Sequence, residues 1–170
     1  MKLNLGAGLD IKEGHVNLDG VKLQGIDVVH NLNKFPYPFE DNTFDEVFAS
    51  HVLEHVDDLS ATMAELKRIC KPGARIKVRG PHFSCGVSYR DPTHKRYFSY
   101  FTFDYFSDAC FYAPVKFKII SRSYNFTRTK FIPLNPFVNP ILNSFPIIYE
   151  RLFCWIFPTA EVFFEMEVVK

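Results

Sequence analysis

The chain has 170 residues, 47% of them hydrophobic and 16% aromatic, with 20 Lys and Arg against 19 Asp and Glu. A chain this long and this apolar buries enough surface to fold as one domain without a metal or disulfide staple, and it is not intrinsically disordered. A formal charge of +1 excludes a protein built mainly to neutralise a phosphate backbone, so no nucleic-acid partner is expected.

Residues 3–7 read as a strand running into a glycine turn at Gly6-Ala7-Gly8. The segment Leu9 to His15 has room for one turn or a short helix at most. Val16 to Asp19 reads as a second strand ending in an acid, and Ile26 to His30 as a third. Pro36 and Pro38 keep Phe35 to Phe39 extended, and Asp41-Asn42-Thr43 is turn chemistry. Phe44 to Ser50 has the sparse charge of a partly buried parallel strand. Asp57 and Asp58 open a helix that runs to about Cys70, with Leu59, Met63, Leu66 and Ile69 at helical spacing. Lys67, Arg68 and Lys71 suit its carboxyl end, and Lys71-Pro72-Gly73 stops it. Ala74 to Arg79 alternates as a fifth strand that ends at Gly80-Pro81. Farther on, the pattern predicts an aromatic-faced helix over 102–111 and a strand over 117–126. It predicts a largely irregular stretch over 131–146, where four prolines fall, then a short apolar helix over 147–156 and a last strand over 161–169.

Strands alternating with crossover segments predict one α/β domain over 1–170. The expectation is a Rossmann-like, mostly parallel sheet with an antiparallel final strand and a compressed or missing first helix. One face of that sheet should be thinly covered near residues 9–15. The four cysteines, Cys70, Cys85, Cys110 and Cys154, are widely spaced with no Cys-x-x-Cys pair, and read as buried or incidental thiols. No apolar run approaches the ~18 residues of a membrane span, and no secretory signal is visible. A cytoplasmic setting is expected.

Gly6 and Gly8 permit positive φ and let a bulky ligand approach the backbone, and an acid at the end of the next strand is placed to accept hydrogen bonds from ribose hydroxyls. Ile11 stands where the third glycine of the dinucleotide fingerprint would be, so a ligand without a pyrophosphate fits better. At this point the chain resembles the class I S-adenosylmethionine-dependent methyltransferases, and more closely their small, type-11-like domains. The stretches that carry the resemblance are “LNLGAG” (3–8), “VNLD” (16–19), “FPYPFEDNTFDEVFASHVLEHV” (35–56) and “ELKRICKPGARIKV” (65–78).

The resemblance implies S-adenosyl-L-methionine as cofactor, held by the half 1–83, with 84–170 as lid and substrate side. Asn4, Gly6, Ala7 and Gly8 would lie along the first motif against the cofactor's amino-acid and ribose parts. Asp19 would take the ribose hydroxyls, Asn31 and Leu32 would stand beside the adenine, and Ser50 and His51 would lie near the sulfonium. Asn31 occupies a position where relatives commonly carry an acid.

Three histidines are the candidates for proton transfer to or from an acceptor: His82 after the fifth strand, His94 within “DPTHKR” (91–96), and His51. The sequence around His51, Glu54 and His55 matches neither His-Glu-x-x-His nor its inverse. Glu54 and His55 are read as a structural hydrogen-bonding pair, and no metal site is expected. No Asn-Pro-Pro-Tyr motif follows the fourth strand, which tilts away from adenine or glutamine acceptors. A small-molecule acceptor is expected, and the aromatic surface of the second half suits a homodimer contact. Two rival readings are a catalytically silent cofactor-binding partner subunit and, with less support, a nicotinamide-dependent reductase.

Overall fold

In the computed structural model, which describes residues 1–129 and 131–170, Lys2–Leu5 forms strand β1 at the centre of the sheet. Val16–Asp19 (β2), Val28–Val29 (β3) and Phe44–Ser50 (β4) follow, then helix α1 (Leu59–Ile69) and β5 (Cys70–Pro81). The second half adds α2 (Gly86–Arg90), a 3-10 turn at Thr102–Phe106, β6 (Phe117–Asn125), α3 (Asn135–Ser144) and β7 (Glu161–Val168). The strands make one seven-stranded sheet in the order β3-β2-β1-β4-β5-β7-β6. The pairings among β1 to β5 are parallel, and β7 runs antiparallel to both β5 and β6. This is the expected α/β architecture with an antiparallel final strand. A single sheet joins the two halves of the chain.

The chain order reverses at β1, whose neighbours are β2 and β4. The loops leaving β1 and β4 therefore diverge and open a crevice at the carboxyl edge of the sheet. Leu3, Leu5, Val47, Ala49 and Ile76 are fully buried, as strands covered on both faces require. Helix α1 lays Met63, Leu66 and Ile69 against them. Asp58 caps it, its side chain accepting from Ala61 N, and the chain passes from Ile69 directly into β5, so the strand begins four residues before the expected Ala74.

No helix follows β1. In its place two buried asparagines pin the loop: Asn4 Nδ2 donates to Asp10 O at 2.8 Å and to Asn17 Oδ1 at 2.9 Å, and Asn17 Oδ1 also accepts from Lys12 N at 2.9 Å. Leu9 is 90% exposed, in keeping with a thinly covered face.

Two expectations for the second half are corrected. The helix expected over 102–111 is one 3-10 turn, Thr102–Phe106. The stretch 131–146, expected to be irregular, contains the ten-residue helix α3. Pro136 sits in its first turn, where the missing N–H is no loss. Pro140 lies inside the helix, where it removes a backbone bond. The compensation is a ladder of asparagines four residues apart. Asn143, Asn139 and Asn135 accept from the backbone N–H groups of Tyr124, Phe126 and Thr127 at 2.7, 2.8 and 3.1 Å. The ladder sews α3 to the end of edge strand β6 and closes its open backbone groups. Asn139→Ala is expected to lower stability by about 1–2 kcal/mol, the cost of an orphaned amide, measured by urea denaturation; a variant as stable as the parent overturns the assignment.

The other face of α3 leaves Phe137 and Ile141 exposed. With the helical segment after it, α3 lines an apolar cleft of about 600 Å³ that includes Phe126, Leu142 and Phe157. No helix among the described residues is long and apolar enough to cross a membrane.

Candidate active site

The turn after β1 is built by two left-handed glycines, Gly6 at φ 64° and Gly8 at φ 51°. Its amides point back to β2: Ala7 N donates to Leu18 O at 2.9 Å, and Gly8 N donates to Asp19 Oδ2 at 2.8 Å. A side chain on Gly6 would meet Val52 Cγ2 at 2.2 Å, so the turn is packed directly on the segment leaving β4. A side chain on Gly8 would meet nothing within 4 Å, so the backbone there borders open space.

That space is a cleft of about 390 Å³ lined by Gly6, Gly8, Asp19, Asn31, Leu32 and His51, among others, a volume within the ~300–1,000 Å³ range of small-ligand sites. Asp19 Oδ1 accepts from Val21 N at 2.9 Å. Each of its carboxylate oxygens keeps a further lone pair for a ribose hydroxyl. Asn4 and Ala7 are buried beneath the turn and shape it from below; neither they nor Ser50 line the cleft.

His51 follows β4 in the left-handed region, at φ 52°, a conformation uncommon for a residue with a Cβ. Its N–H donates to Arg79 O at 2.8 Å, which fixes the backbone across to β5. Its Nε2 lies 2.6 Å from Glu161 Oε1 at the start of β7. Arg128 Nη1 is 3.1 Å from the same nitrogen and also 3.1 Å from Glu161 Oε1. One ring nitrogen cannot both donate to Glu161 and accept from Arg128, and the shorter contact decides: His51 Nε2–H donates to Glu161, and Arg128 pairs with the carboxylate.

Glu161 is 1% exposed. Arg79 grips it with two bonds, Nε to Oε1 at 2.9 Å and Nη2 to Oε2 at 2.8 Å, and Asn125 Nδ2 donates at 3.1 Å. Burial alone would raise its pKa, but His51, Arg79 and Asn125 outweigh it and hold the carboxyl at about 2. Burial pulls His51 the other way, downward, and Glu161 with Glu54 overcomes it, so the imidazole titrates above the ordinary histidine value. Sequence reasoning named His51 but not Glu161 or Arg79. Glu161 lies 110 residues from its partner, and no local pattern marks it.

The other two histidines stand elsewhere. His82 is fully buried and lines neither the cofactor-sized cleft nor the one beside it. Its Nδ1 is 2.8 Å from Ser84 Oγ and its Nε2 3.1 Å from Glu150 Oε1. Ser84 N also donates to Nδ1, so Nδ1 accepts and Nε2–H donates, which leaves the ring no spare lone pair. His82 thereby ties the exit of β5 to Glu150, which also accepts from Tyr100 N at 2.6 Å and Tyr124 OH at 3.0 Å.

His94 lines the adjoining cleft of about 450 Å³ with His51, Glu54, His55 and Asp91. Glu54 and His55 are not hydrogen-bonded to each other, contrary to expectation. His55 Nδ1 is 2.9 Å from Thr93 Oγ1, and neither carboxylate oxygen of Glu54 has a hydrogen-bond partner among the described residues.

Comparison with known proteins follows these elements. The methyltransferase-domain family model matches residues 6–78. The demethylmenaquinone methyltransferase of Bacillus mycoides is 32% identical over 74 residues, 41% of this chain and 31% of that protein. Its counterpart from Bacillus cereus is 34% identical over the same shares. The aligned region is thus about a third of the length of these curated relatives. Among solved structures, a SAM dependent methyltransferase from Archaeoglobus fulgidus superposes over 98% of this chain and 85% of its own, with a TM-score of 0.61 and 20% identity. The cyclase SpnF superposes over 99% of this chain and 74% of its own, with a TM-score of 0.62 and 15% identity. The cyclase and the methyltransferase share one architecture, so the fold by itself does not select the chemistry.

Proposed function

We propose, from the premise that residues 6–78 belong to the methyltransferase-domain family within a class I fold, that this chain transfers a methyl group from S-adenosylmethionine to a small-molecule acceptor. S-adenosylmethionine is the cofactor of that family, and the donor set fits it. The cleft is bounded by glycine backbone, carries an acid with spare lone pairs at the end of β2, and has no third glycine for a pyrophosphate. The observation that carries the reading is the meeting of Gly8, Asp19 and His51 in one cleft at the point where the strand order reverses.

When bound, the cofactor supplies an electrophilic methyl carbon. The chain supplies alignment and a place for a proton. Glu161 takes His51 Nε2–H, which leaves the lone pair on Nδ1. In the neutral ring that nitrogen, 3.3 Å from Glu54 Oε1, accepts the proton of a hydroxyl or amine acceptor, and Glu161 and Glu54 steady the imidazolium that results, the part an acid plays behind a histidine in hydrolytic triads. His82 and His94 take no proton in this scheme. The family match spans residues 6–78, the half read as the cofactor side, and carries no acceptor information. The apolar cleft beside α3 favours an acceptor with an apolar body: Phe126 in its wall adjoins Asn125, which bonds Glu161, which bonds His51.

Calorimetric titration with S-adenosylhomocysteine and with NADH tests the cofactor. Selective binding of the former is expected, and Asp19→Ala should weaken it by roughly 10–100-fold, the worth of hydrogen bonds to a charged acceptor. Selective binding of NADH overturns the reading. Transfer of a labelled methyl group into cell extract tests the reaction, with the label expected in the organic phase and His51→Gln slowing transfer at saturating cofactor. Binding without any transfer would make the chain a silent partner instead.

A further inference from the structure

We propose that Glu54, His55 and His94 form a binding site for a divalent transition-metal ion of the zinc class, in the cleft next to the cofactor site. One donor atom from each of the three residues lies within 4.8 Å of the other two. Small side-chain adjustments bring such a set onto one centre at the ~2 Å bond lengths of zinc.

The first argument is the buried carboxylate. Glu54 is fully buried, and neither Oε1 nor Oε2 has a hydrogen-bond partner among the described residues. An ionised carboxylate in that state is costly unless a cation meets it. His51 Nδ1 stands 3.3 Å from Oε1 and is an ion-pair partner to it only when the ring is protonated. Arg96, the nearby guanidinium, directs its N–H groups to the carbonyls of Leu53, Val56 and Asp57 instead. A metal ion in the cleft supplies a cation that does not depend on that proton.

The second argument is independent and concerns tautomers. His94 Nδ1 is 2.8 Å from Ser88 O. A carbonyl only accepts, so Nδ1 carries the hydrogen and Nε2 keeps its lone pair. Thr93 Oγ1 donates to Asp91 Oδ1 at 2.7 Å, so it must accept from His55 Nδ1–H, which again leaves a lone pair on Nε2. Both histidines are thus held in the form that binds metal, each by an outer partner on its other nitrogen, as ligating histidines usually are. Two imidazoles and one carboxylate suit zinc and its first-row neighbours better than calcium or magnesium, which prefer all-oxygen sets. The cleft of about 450 Å³ leaves room for a further ligand. A bound ion would also tie the loop carrying Asp91 to His94 onto the segment leaving β4.

The test needs neither cofactor nor acceptor, so it stands or falls apart from the methyltransferase reading. The full chain, stripped with a chelator, is titrated with Zn²⁺ by calorimetry and with Co²⁺ by visible absorption. One ion per chain is expected, with cobalt bands of low coordination number. His94→Ala and Glu54→Gln should each weaken binding at least about tenfold, and Thr93→Val by roughly tenfold through the loosened His55. His30→Ala, at a residue that does not line the cleft, should bind as the parent does. His94 lies in a loop, so its variant keeps the test decisive even where Glu54→Gln does not fold. Absence of saturable binding by the parent chain, or undiminished binding by folded His94→Ala, overturns the proposal.

Discussion

Gly6→Ala is expected to cost about 2–4 kcal/mol of stability and to abolish measurable binding of S-adenosylhomocysteine. Two effects add. At φ 64° a Cβ brings left-handed strain of about 1–2 kcal/mol. The same Cβ would sit 2.2 Å from Val52 Cγ2 and 2.7 Å from Val52 Cβ, far inside contact distance, and Val52 is itself held between the turn and the core at 7% exposure. Relief requires either the β1 turn or the segment leaving β4 to move, and those two segments are the walls of the cleft. Overpacking of this kind costs ~1–3 kcal/mol. Urea denaturation and calorimetry read the two losses together. Gly8→Ala is the control, since its Cβ meets nothing within 4 Å and only the backbone strain remains to the folded protein. A Gly6→Ala variant of parental stability would show that Val52 does not press on the turn.

The first half of the fold was legible because its signals are local. The strand-to-glycine turn, the acid ending β2 and the Asp58 cap each lie within a few residues of the structure they dictate. The missing first helix was legible as a shortage of chain between Gly8 and Val16. The means of managing without it was not, because Asn4 and Asn17 meet through side chains across two parallel strands. The second half was harder for the same reason. The prolines of 131–146 argue for irregular chain on local grounds, and a tertiary ladder overrides them. The spacing of Asn135, Asn139 and Asn143 was the available signal, since three hydrogen-bonding residues four apart share one helix face. The candidate metal ligands show the limit most clearly: Glu54 and His55 are adjacent in sequence, but the residue that completes the cluster, His94, comes from a loop whose path no periodicity foretells.

Glu161→Gln is expected to lower stability by about 3 kcal/mol at neutral pH and to flatten the acid side of the stability profile. The glutamate gathers Arg79, His51, Arg128 and Asn125 around one buried carboxylate. Removing its charge leaves three cationic or cation-forming groups without their common partner, and breaking a buried ion pair from one side costs ~3–5 kcal/mol. Linkage gives a consistent figure. The carboxyl titrates at about 2 in the folded chain against an ordinary value of 4.5, and a depression of that size corresponds to about 3 kcal/mol. Because the folded value is the lower one, this stabilisation is complete above the unfolded value and drains away as pH falls from about 4.5 to about 2. The parent should therefore lose stability steeply across that window while Glu161→Gln changes less. The same substitution replaces a charged acceptor by a neutral amide, which neither steadies a His51 imidazolium nor fixes the tautomer by itself, so methyl transfer should fall well beyond what the loss of folded protein explains. Arg79→Lys separates the two roles: it keeps a positive charge near Glu161 but gives up the two-bond grip, and should reduce stability while sparing the His51 contact. Parallel pH profiles for the parent and Glu161→Gln would mean that this carboxylate is not the group whose protonation opens the fold in acid.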